Sequence, residues 1–541
     1  MNNLVETKTL TGAKIVVETL KKFGVEKIFG YPGGIVLSIY DELYKQNDIK
    51  HILVRHEQAA VHAAEGYARV TGKPGVVLVT SGPGATNTVS GIVNAYLDGF
   101  PLVVLTGQVV ANLIGKDAFQ EANICDMTKS CTKKVYQVTD VNDLEKTLAD
   151  AFNVAMSGKK GPVVVDLAKN ILYDNAEFLG DIENICDVKS HIDVTDILKE
   201  LCAAKYPVIV TGGGSVGAFE EVRKLNGILN FPVVTTMMGV GVYPQEDKNY
   251  FGMIGIFGDF SANQILKESD LIFSIGARFN DRITCCFPNG ELKRKFIQLD
   301  INENEISRVI PAFKSIVGDA GCVISDMIQK LESEKFIINS KWSDEIQSLK
   351  LKNVKRENKT GNLYSFEVMQ ELDKFIKDKD LYVTTEVGQH QLWAVQNLHF
   401  NKPGRFITSG GSGTMGFGFP AAIGAAVADI SKPVVCVAGD GSFQMNMQEL
   451  ATCMDYNLPV KVLILNNGYL GMVRQLQEKQ CDGRYFETKI SNPDFMKLAE
   501  SYGAAAYRVK SRDEVIPALQ KAFSQKGIAI VECIVEPMEV L

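Results

Sequence analysis

Short runs of β-branched and aliphatic residues recur along the chain, separated by longer stretches with helical periodicity. In the first third these runs fall at 27–29, 75–80, 102–106 and 163–166, with an amphipathic stretch at 59–71 among them. Short apolar runs alternating with amphipathic segments predict strands joined by crossover helices, and therefore parallel, doubly wound α/β sheets. The alternation returns at 207–210, 232–235, 271–275 and 296–299, and again at 381–384, 434–438, 460–466 and 529–534. Two polar, charged stretches, 174–193 and 332–361, lie between the three sets and read as linkers. The expected organisation is three doubly wound parallel-sheet α/β domains, at 1–175, 190–335 and 362–541. The first and third share a rhythm of strand, glycine-rich turn and helix.

Composition narrows the functional class. At about 150 residues per domain, 541 residues suit three or four domains. A net charge of −7 argues against a general nucleic-acid surface. The 11 cysteines are scattered, with Cys285 and Cys286 adjacent and no C-x₂-C pair, which reads as reduced buried thiols rather than a zinc or disulfide framework. The polar, then amphipathic N-terminus has neither the apolar core of a signal peptide nor the composition of a transit peptide. No apolar run reaches the about 18 residues of a membrane span. The expectation is a cytoplasmic enzyme with no nucleic-acid or membrane partner.

The strongest candidate chemistry lies in the third domain. Gly439-Asp440-Gly441-Ser442 follows the strand-like PVVCVA, and Asn466-Asn467 ends the next apolar run. Asp440 and Asn467 stand 27 positions apart, both at expected C-terminal ends of parallel strands, where open α/β sheets bind ligands. Carboxylate and amide oxygens suit a hard cation such as Mg²⁺, which completes its shell with phosphate oxygens and water. The glycines let a diphosphate approach the backbone, and Ser442 is expected to open a helix whose N-terminus favours anions.

Together these motifs resemble the thiamine-diphosphate signature, and the resemblance extends along the chain. Arg55-His56-Glu57-Gln58, Glu65-Gly66-Tyr67-Ala68-Arg69 and Thr80-Ser81-Gly82-Pro83-Gly84-Ala85-Thr86-Asn87 resemble the pyrimidine-binding domain of these enzymes. Asp117-Ala118-Phe119-Gln120-Glu121, Val387-Gly388-Gln389-His390-Gln391, Gly413-Thr414-Met415-Gly416-Phe417-Gly418 and Gly471-Met472-Val473-Arg474-Gln475 are similar to the acetolactate (acetohydroxyacid) synthase catalytic subunits. The resemblance implies thiamine diphosphate and Mg²⁺, with pyruvate and a second 2-keto acid as substrates. Glu57 would hold the cofactor's aminopyrimidine in its imino tautomer, with Gln120 and Lys169 near the reacting centre. Asp440, Asn467 and the main chain of Tyr469 would bind the metal. Gln389, His390, Gly413, Met415, Gly439, Gly441, Ser442, Leu470, Gly471 and Met472 would line the cofactor. Phe119, Arg282 and Leu476 would meet substrate, Arg282 pairing with the acceptor carboxylate. The resemblance also implies a homodimer, or a dimer of dimers, with active sites between subunits, and allows a regulatory small subunit.

Gly212–Gly217 fits G-x-G-x-x-G, but no acidic residue stands at a clear strand end about twenty positions on, so an NAD site is not expected. The family's central domain often carries FAD in a non-redox role. Gly213, Thr236, Met237, Arg278, Asp281, Asp300 and Asp319 match positions around it. Several positions depart from the family pattern. Leu476 replaces a tryptophan of the acceptor pocket, and Val110-Ala111-Asn112 replaces a Pro-Arg-Arg type segment beside it. Ile256-Phe257 replaces Met-His, Ala168 a proline and Ser412 a leucine, and the longer family tail is expected to be missing after Leu541. These changes bear on the acceptor, so a related carboligase or decarboxylase using a keto-sugar or aldehyde acceptor stays open as the alternative.

Overall fold

A computed structural model of the protein describes residues 8–180, 192–287, 294–339, 341–353 and 356–541. β1 (Lys8–Thr11) opens the first domain. Its sheet is built from β2 (Lys27–Tyr31), β3 (Lys50–Leu53), β4 (Gly75–Val79), β5 (Leu102–Gln108), β6 (Lys134–Val138) and β7 (Pro162–Ala168). β8 (Asn175–Phe178) then pairs antiparallel with β1, outside that sheet. The second sheet comprises β9 (Pro207–Thr211), β10 (Val233–Thr235), β11 (Tyr250–Met253), β12 (Leu271–Ile275), β13 (Lys295–Asp300) and β14 (Lys314–Val317). The third comprises β15 (Tyr382–Thr385), β16 (Phe406–Ile407), β17 (Val434–Gly439), β18 (Val460–Asn466), β19 (Ala505–Val509) and β20 (Ala529–Ile534).

Each sheet has six parallel strands, in the orders β3-β2-β4-β5-β7-β6, β11-β10-β9-β12-β13-β14 and β16-β15-β17-β18-β20-β19. Renumbered within each domain, the first and third share the order 2-1-3-4-6-5, which gives the rhythm seen in the sequence a structural basis. The second has the dinucleotide-fold order 3-2-1-4-5-6. Strands buried on both faces must be apolar throughout. β4 (GVVLV) and β5 (LVVLTGQ) are buried at every position.

The helices that bear on the site are α1 (Glu57–Thr71), α2 (Val89–Asp98), α3 (Ser365–Ile376), α4 (Gln389–Asn397), α5 (Gly418–Ala428), α6 (Asp440–Phe443) and α7 (Gly471–Gln480). The His56 ring caps α1 by accepting from Gln58 N at 3.2 Å, and Gly72, in the left-handed region at φ 72, ends it. α1 and α5 cross at backbone contact. A Cβ on Gly66 would lie 2.2 Å from Ala421 O, and one on Gly424 1.8 Å from Ala63 O. Alanines from both helices fill one core shared by the first and third domains.

The central strands match the expected ones closely, but every sheet edge was unforeseen: β3, β6, β11, β14, β16 and β19. The first expected linker begins with a strand, β8, and its residues 181–191 lie outside the described residues. The second is not free chain, since Trp342, Ile346 and Leu349 are buried in a core with β9 and β12 residues. Among the described cysteines, Cys285 is exposed, contrary to the expectation of buried thiols. Among the described residues, no helix is long and apolar enough to cross a membrane.

Candidate active site

Asp440, the first residue of the one-turn helix α6, follows directly on β17. The helix therefore starts two residues before Ser442, and its single turn gives little dipole. The Asp440 carboxylate is buried, and burial pushes its pKa up to about 6. It accepts from Asn492 Nδ2 at 2.7 Å and Gly468 N at 2.9 Å, both at Oδ2. Asn467 follows β18, and its Oδ1 accepts from Tyr469 N at 3.0 Å. A side chain at the glycines around these groups would have to displace its neighbours. A Cβ on Gly471 would lie 2.1 Å from Gln389 Oε1, and one on Gly439 3.0 Å from His390 Nδ1.

His390 and Glu386 lie beneath this surface. Burial lowers the His390 pKa to about 4 and raises that of Glu386 to about 7. His390 Nε2 and both Glu386 carboxylate oxygens have no hydrogen-bond partner, and Nε2 faces Glu386 Oε2 at 4.0 Å. A buried carboxylate at a strand end, amide oxygens beside it and a cradle without side chains suit a hard cation carrying a phosphate ligand. Among the described residues, no three His, Cys, Asp or Glu side chains form a metal cage. A cation here would rest on one carboxylate, amide and main-chain oxygens, and its own ligands. Gly413 and Gly416, at φ 66 and 81, flank Met415 in the loop before α5. Leu470, Gly471 and Met472 enter α7, where Leu476 stands 41% exposed.

Glu57 opens α1 in a shallower setting, half-buried, with Oε2 accepting from Asn87 Nδ2 at 2.9 Å. Behind it the Thr80 and Ser81 hydroxyls are buried without partners. The 117–120 loop reaches this region. A Cβ on Gly82 would lie 2.8 Å from Gln120 O. Asp117 and Gln120 both hold left-handed backbone, at φ 53 and 59, a strained arrangement of the kind found at functional sites. Phe119 projects 89% exposed, and Lys169 follows β7 half-buried. Among the described residues, no hydrogen bond or ion pair joins Glu57, Gln120 or Lys169 to Asp440, Asn467 or Tyr469.

In the second domain Gly213, Thr236, Arg278, Asp300 and Asp319 fall at the C-terminal ends of β9, β10, β12, β13 and β14, the ligand edge of such a sheet, with Met237 next to Thr236. Asp300 is raised by burial, and Asp319 caps the following helix through Cys322 N at 3.0 Å. The glycine-rich turn serves close packing as well. Gly214 N donates to Gly276 O at 2.9 Å, where a Cβ on Gly276 would strike Gly214 Cα. The Asp281 and Arg282 side chains are 86% and 70% exposed, 3.9 Å apart. Asn87, which braces Glu57, closes the Thr80–Asn87 motif noted in the sequence, though no role was assigned to it there. The sequence did not single out Asn492, which braces Asp440 and stands in no glycine-rich or charged pattern.

Three family models match, each described as a thiamine pyrophosphate enzyme domain: the N-terminal TPP binding domain at 10–127, the central domain at 194–330 and the C-terminal TPP binding domain at 386–533. The chain is 42% identical over 534 residues to the acetolactate synthase large subunit of Haemophilus influenzae, covering 96% of this chain and 93% of that one. It is 42% identical over 532 residues to the acetolactate synthase isozyme 3 large subunit of Escherichia coli, covering 95% and 92%. It is 39% identical over 558 residues to the probable acetolactate synthase large subunit of Methanocaldococcus jannaschii, covering 98% and 93%. The chain belongs to the thiamine pyrophosphate enzymes, in the family of the acetolactate synthase large subunits.

Proposed function

We propose that the chain decarboxylates pyruvate and joins the resulting two-carbon unit to a second 2-keto acid, giving 2-acetolactate for branched-chain amino-acid synthesis. The observation that carries this reading is the glycine-lined cradle around Asp440, in a chain similar to acetolactate synthase large subunits over nearly its whole length. When bound, thiamine diphosphate supplies the electron sink for decarboxylation. Asp440, Asn467 and the Tyr469 main chain hold Mg²⁺, and the backbone at Gly441, Ser442 and His390 meets the diphosphate. Both Gln389 Nε2 hydrogens are engaged elsewhere, by Gln475 Oε1 and Glu539 O, so Gln389 meets the phosphate through its main chain. Met415 shapes the cofactor's fold, and Glu57 holds its pyrimidine ring.

Arg282 offers the acceptor carboxylate a guanidinium paired only loosely with Asp281, and a two-point contact would fix orientation as well as charge. Phe119, Gln120, Lys169 and Leu476 line the approach. The second domain holds FAD in a non-redox role, at Gly213, Thr236, Met237, Arg278, Asp281, Asp300 and Asp319. Glu57 and Asp440 stand on different domains with no direct bond between them among the described residues, and the resemblance to this family favours a homodimer whose active sites form between subunits. A small regulatory subunit and a cytoplasmic location complete the reading, the former because the relatives are named large subunits.

Product analysis tests it. Purified protein with thiamine diphosphate, Mg²⁺, FAD and pyruvate should yield acetolactate, detected as acetoin after acid treatment. Carbon dioxide without acetolactate would move the reading to another acceptor, and no reaction from intact, cofactor-loaded protein would overturn it.

A further inference from the structure

The segment 536–541 runs from the end of β20 back across the third domain, and it is held at unusually many points. Glu539 spans two layers. Its carboxylate accepts from Ser365 N at 2.7 Å and Phe366 N at 3.3 Å, capping α3. Its main-chain oxygen accepts from Gln389 Nε2 at 3.1 Å and from Arg474 Nη2 at 2.8 Å. Arg474 is fully buried. Leu541 N donates to Gln475 Oε1 at 3.1 Å, and the same oxygen accepts from Gln389 Nε2 at 2.8 Å.

These contacts fix which way two amides face. A main-chain carbonyl can only accept, so the side of Gln389 facing Glu539 must be its NH₂ group. Its Oε1 then faces the other way and accepts from Asn467 Nδ2 at 3.4 Å. That turns Asn467 Oδ1 outward, where it accepts from Tyr469 N at 3.0 Å and stands on the side of the proposed cation. With either amide reversed, a nitrogen would be presented where a cation needs an oxygen.

We propose that Glu539 is a positioning residue: through Gln389 it sets the orientation of the Asn467 amide, and so the affinity of the site for Mg²⁺ and the diphosphate it carries. The inference rests on the reading that Asp440 and Asn467 hold the cation. Partners one step removed from a metal ligand typically change metal affinity by about 10- to 100-fold when removed. Gln389 is that partner of Asn467; Glu539, one step further out, holds Gln389, and Glu539→Ala frees the segment from α3 and should weaken binding towards the lower end of that range. Glu539→Gln keeps one acceptor for the α3 N–H groups and should recover most of the affinity.

The test is calorimetric titration of the full-length apo-protein with thiamine diphosphate at fixed Mg²⁺, and with Mg²⁺ at saturating thiamine diphosphate, beside the apo-protein melting temperature. Wild type should bind both, Glu539→Ala should bind both more weakly by about tenfold or more, and Glu539→Gln should fall within about threefold of wild type. Gln389→Met, which removes both donors, carries the expectation of Glu539→Ala should that variant not fold. Wild-type affinity in a folded Glu539→Ala or Gln389→Met would overturn the positioning role while leaving the site reading intact. An equal loss in Glu539→Gln and Glu539→Ala, tracking a lowered melting temperature, would overturn it in favour of a purely structural role. A wild-type protein that binds neither ligand would overturn the site reading and this inference with it.

Discussion

The first and third domains share one strand order but present different surfaces at the ends of their strands. In the third, Asp440 is buried at the end of β17, braced by Asn492 and Gly468, and backed by the unpartnered Glu386 and His390. In the first, Glu57 is half-buried, with one side-chain hydrogen bond, beside a strained loop that leaves Phe119 in the open. Asp440 and the groups that brace it all lie within the third domain. The shallow half has the character of a surface that awaits a cover. Within the chain the two domains pack together through α1 and α5. A shared fold thus supplies the framework, and the loops at its strand ends divide the work.

Substitutions in each half should sharpen that difference. The largest effect is expected from Asp440→Ala, which should remove both turnover and Mg²⁺-dependent binding of thiamine diphosphate in calorimetry. Glu57→Gln should cut turnover by about 10²- to 10⁴-fold, the range for a lost proton-transfer group, while cofactor affinity stays close to wild type. If both variants lost cofactor binding alike, the division into a binding half and a reacting half would fail.

The joint between the domains is the next target. Gly424→Val would force a side chain where even a Cβ lies 1.8 Å from Ala63 O. It should cost about 3 kcal/mol or more of stability in denaturant melts. Glu449 spans the same joint, accepting from Arg55 N at 2.9 Å and Thr452 Oγ1 at 2.6 Å. Burial pushes its pKa up to about 7. The folded value lies above the unfolded one, so the contribution of Glu449 to stability is most favourable below about pH 4.5 and is lost as pH rises through about 7. Glu449→Gln should remove that decline, a relative gain of about 3 kcal/mol above pH 7 that vanishes in acid. A pH-independent difference would contradict the assignment. The smallest effect expected is from Leu476→Trp, which should shift preference towards 2-ketobutyrate over pyruvate by about tenfold at most in a competition assay.

How much was legible beforehand follows burial. β4, β5, β12 and β18 are apolar at nearly every position because both faces are covered, and the sequence marks them clearly. The edge strands β3 (KHIL), β6 (KVYQV) and β14 (KSIV) mix exposed and buried positions over few residues, and so resemble loops. The strand-end placement of Asp440 and Asn467 was legible because each follows a run of buried apolar residues. The Glu539 bridge was not, because it acts through a main-chain oxygen 150 residues from Gln389, and main-chain atoms leave no mark on residue identity. Nor did any motif single out the Glu386–His390 contact as an unpartnered pair. That property appears only once the surrounding core has closed.

The central proposal is that Glu57 of one chain and Asp440 of another form one site, and mixing inactive variants tests it most directly. Glu57→Gln and Asp440→Ala chains, each inactive alone, would be unfolded together and refolded, or co-expressed, and assayed for acetolactate. In a hybrid dimer one site receives Glu57 from one chain and Asp440 from the other, so random pairing should restore about a quarter of wild-type activity. Activity no greater than that of either parent, from hybrids shown to have formed, would contradict the account and place both halves of each site within a single chain.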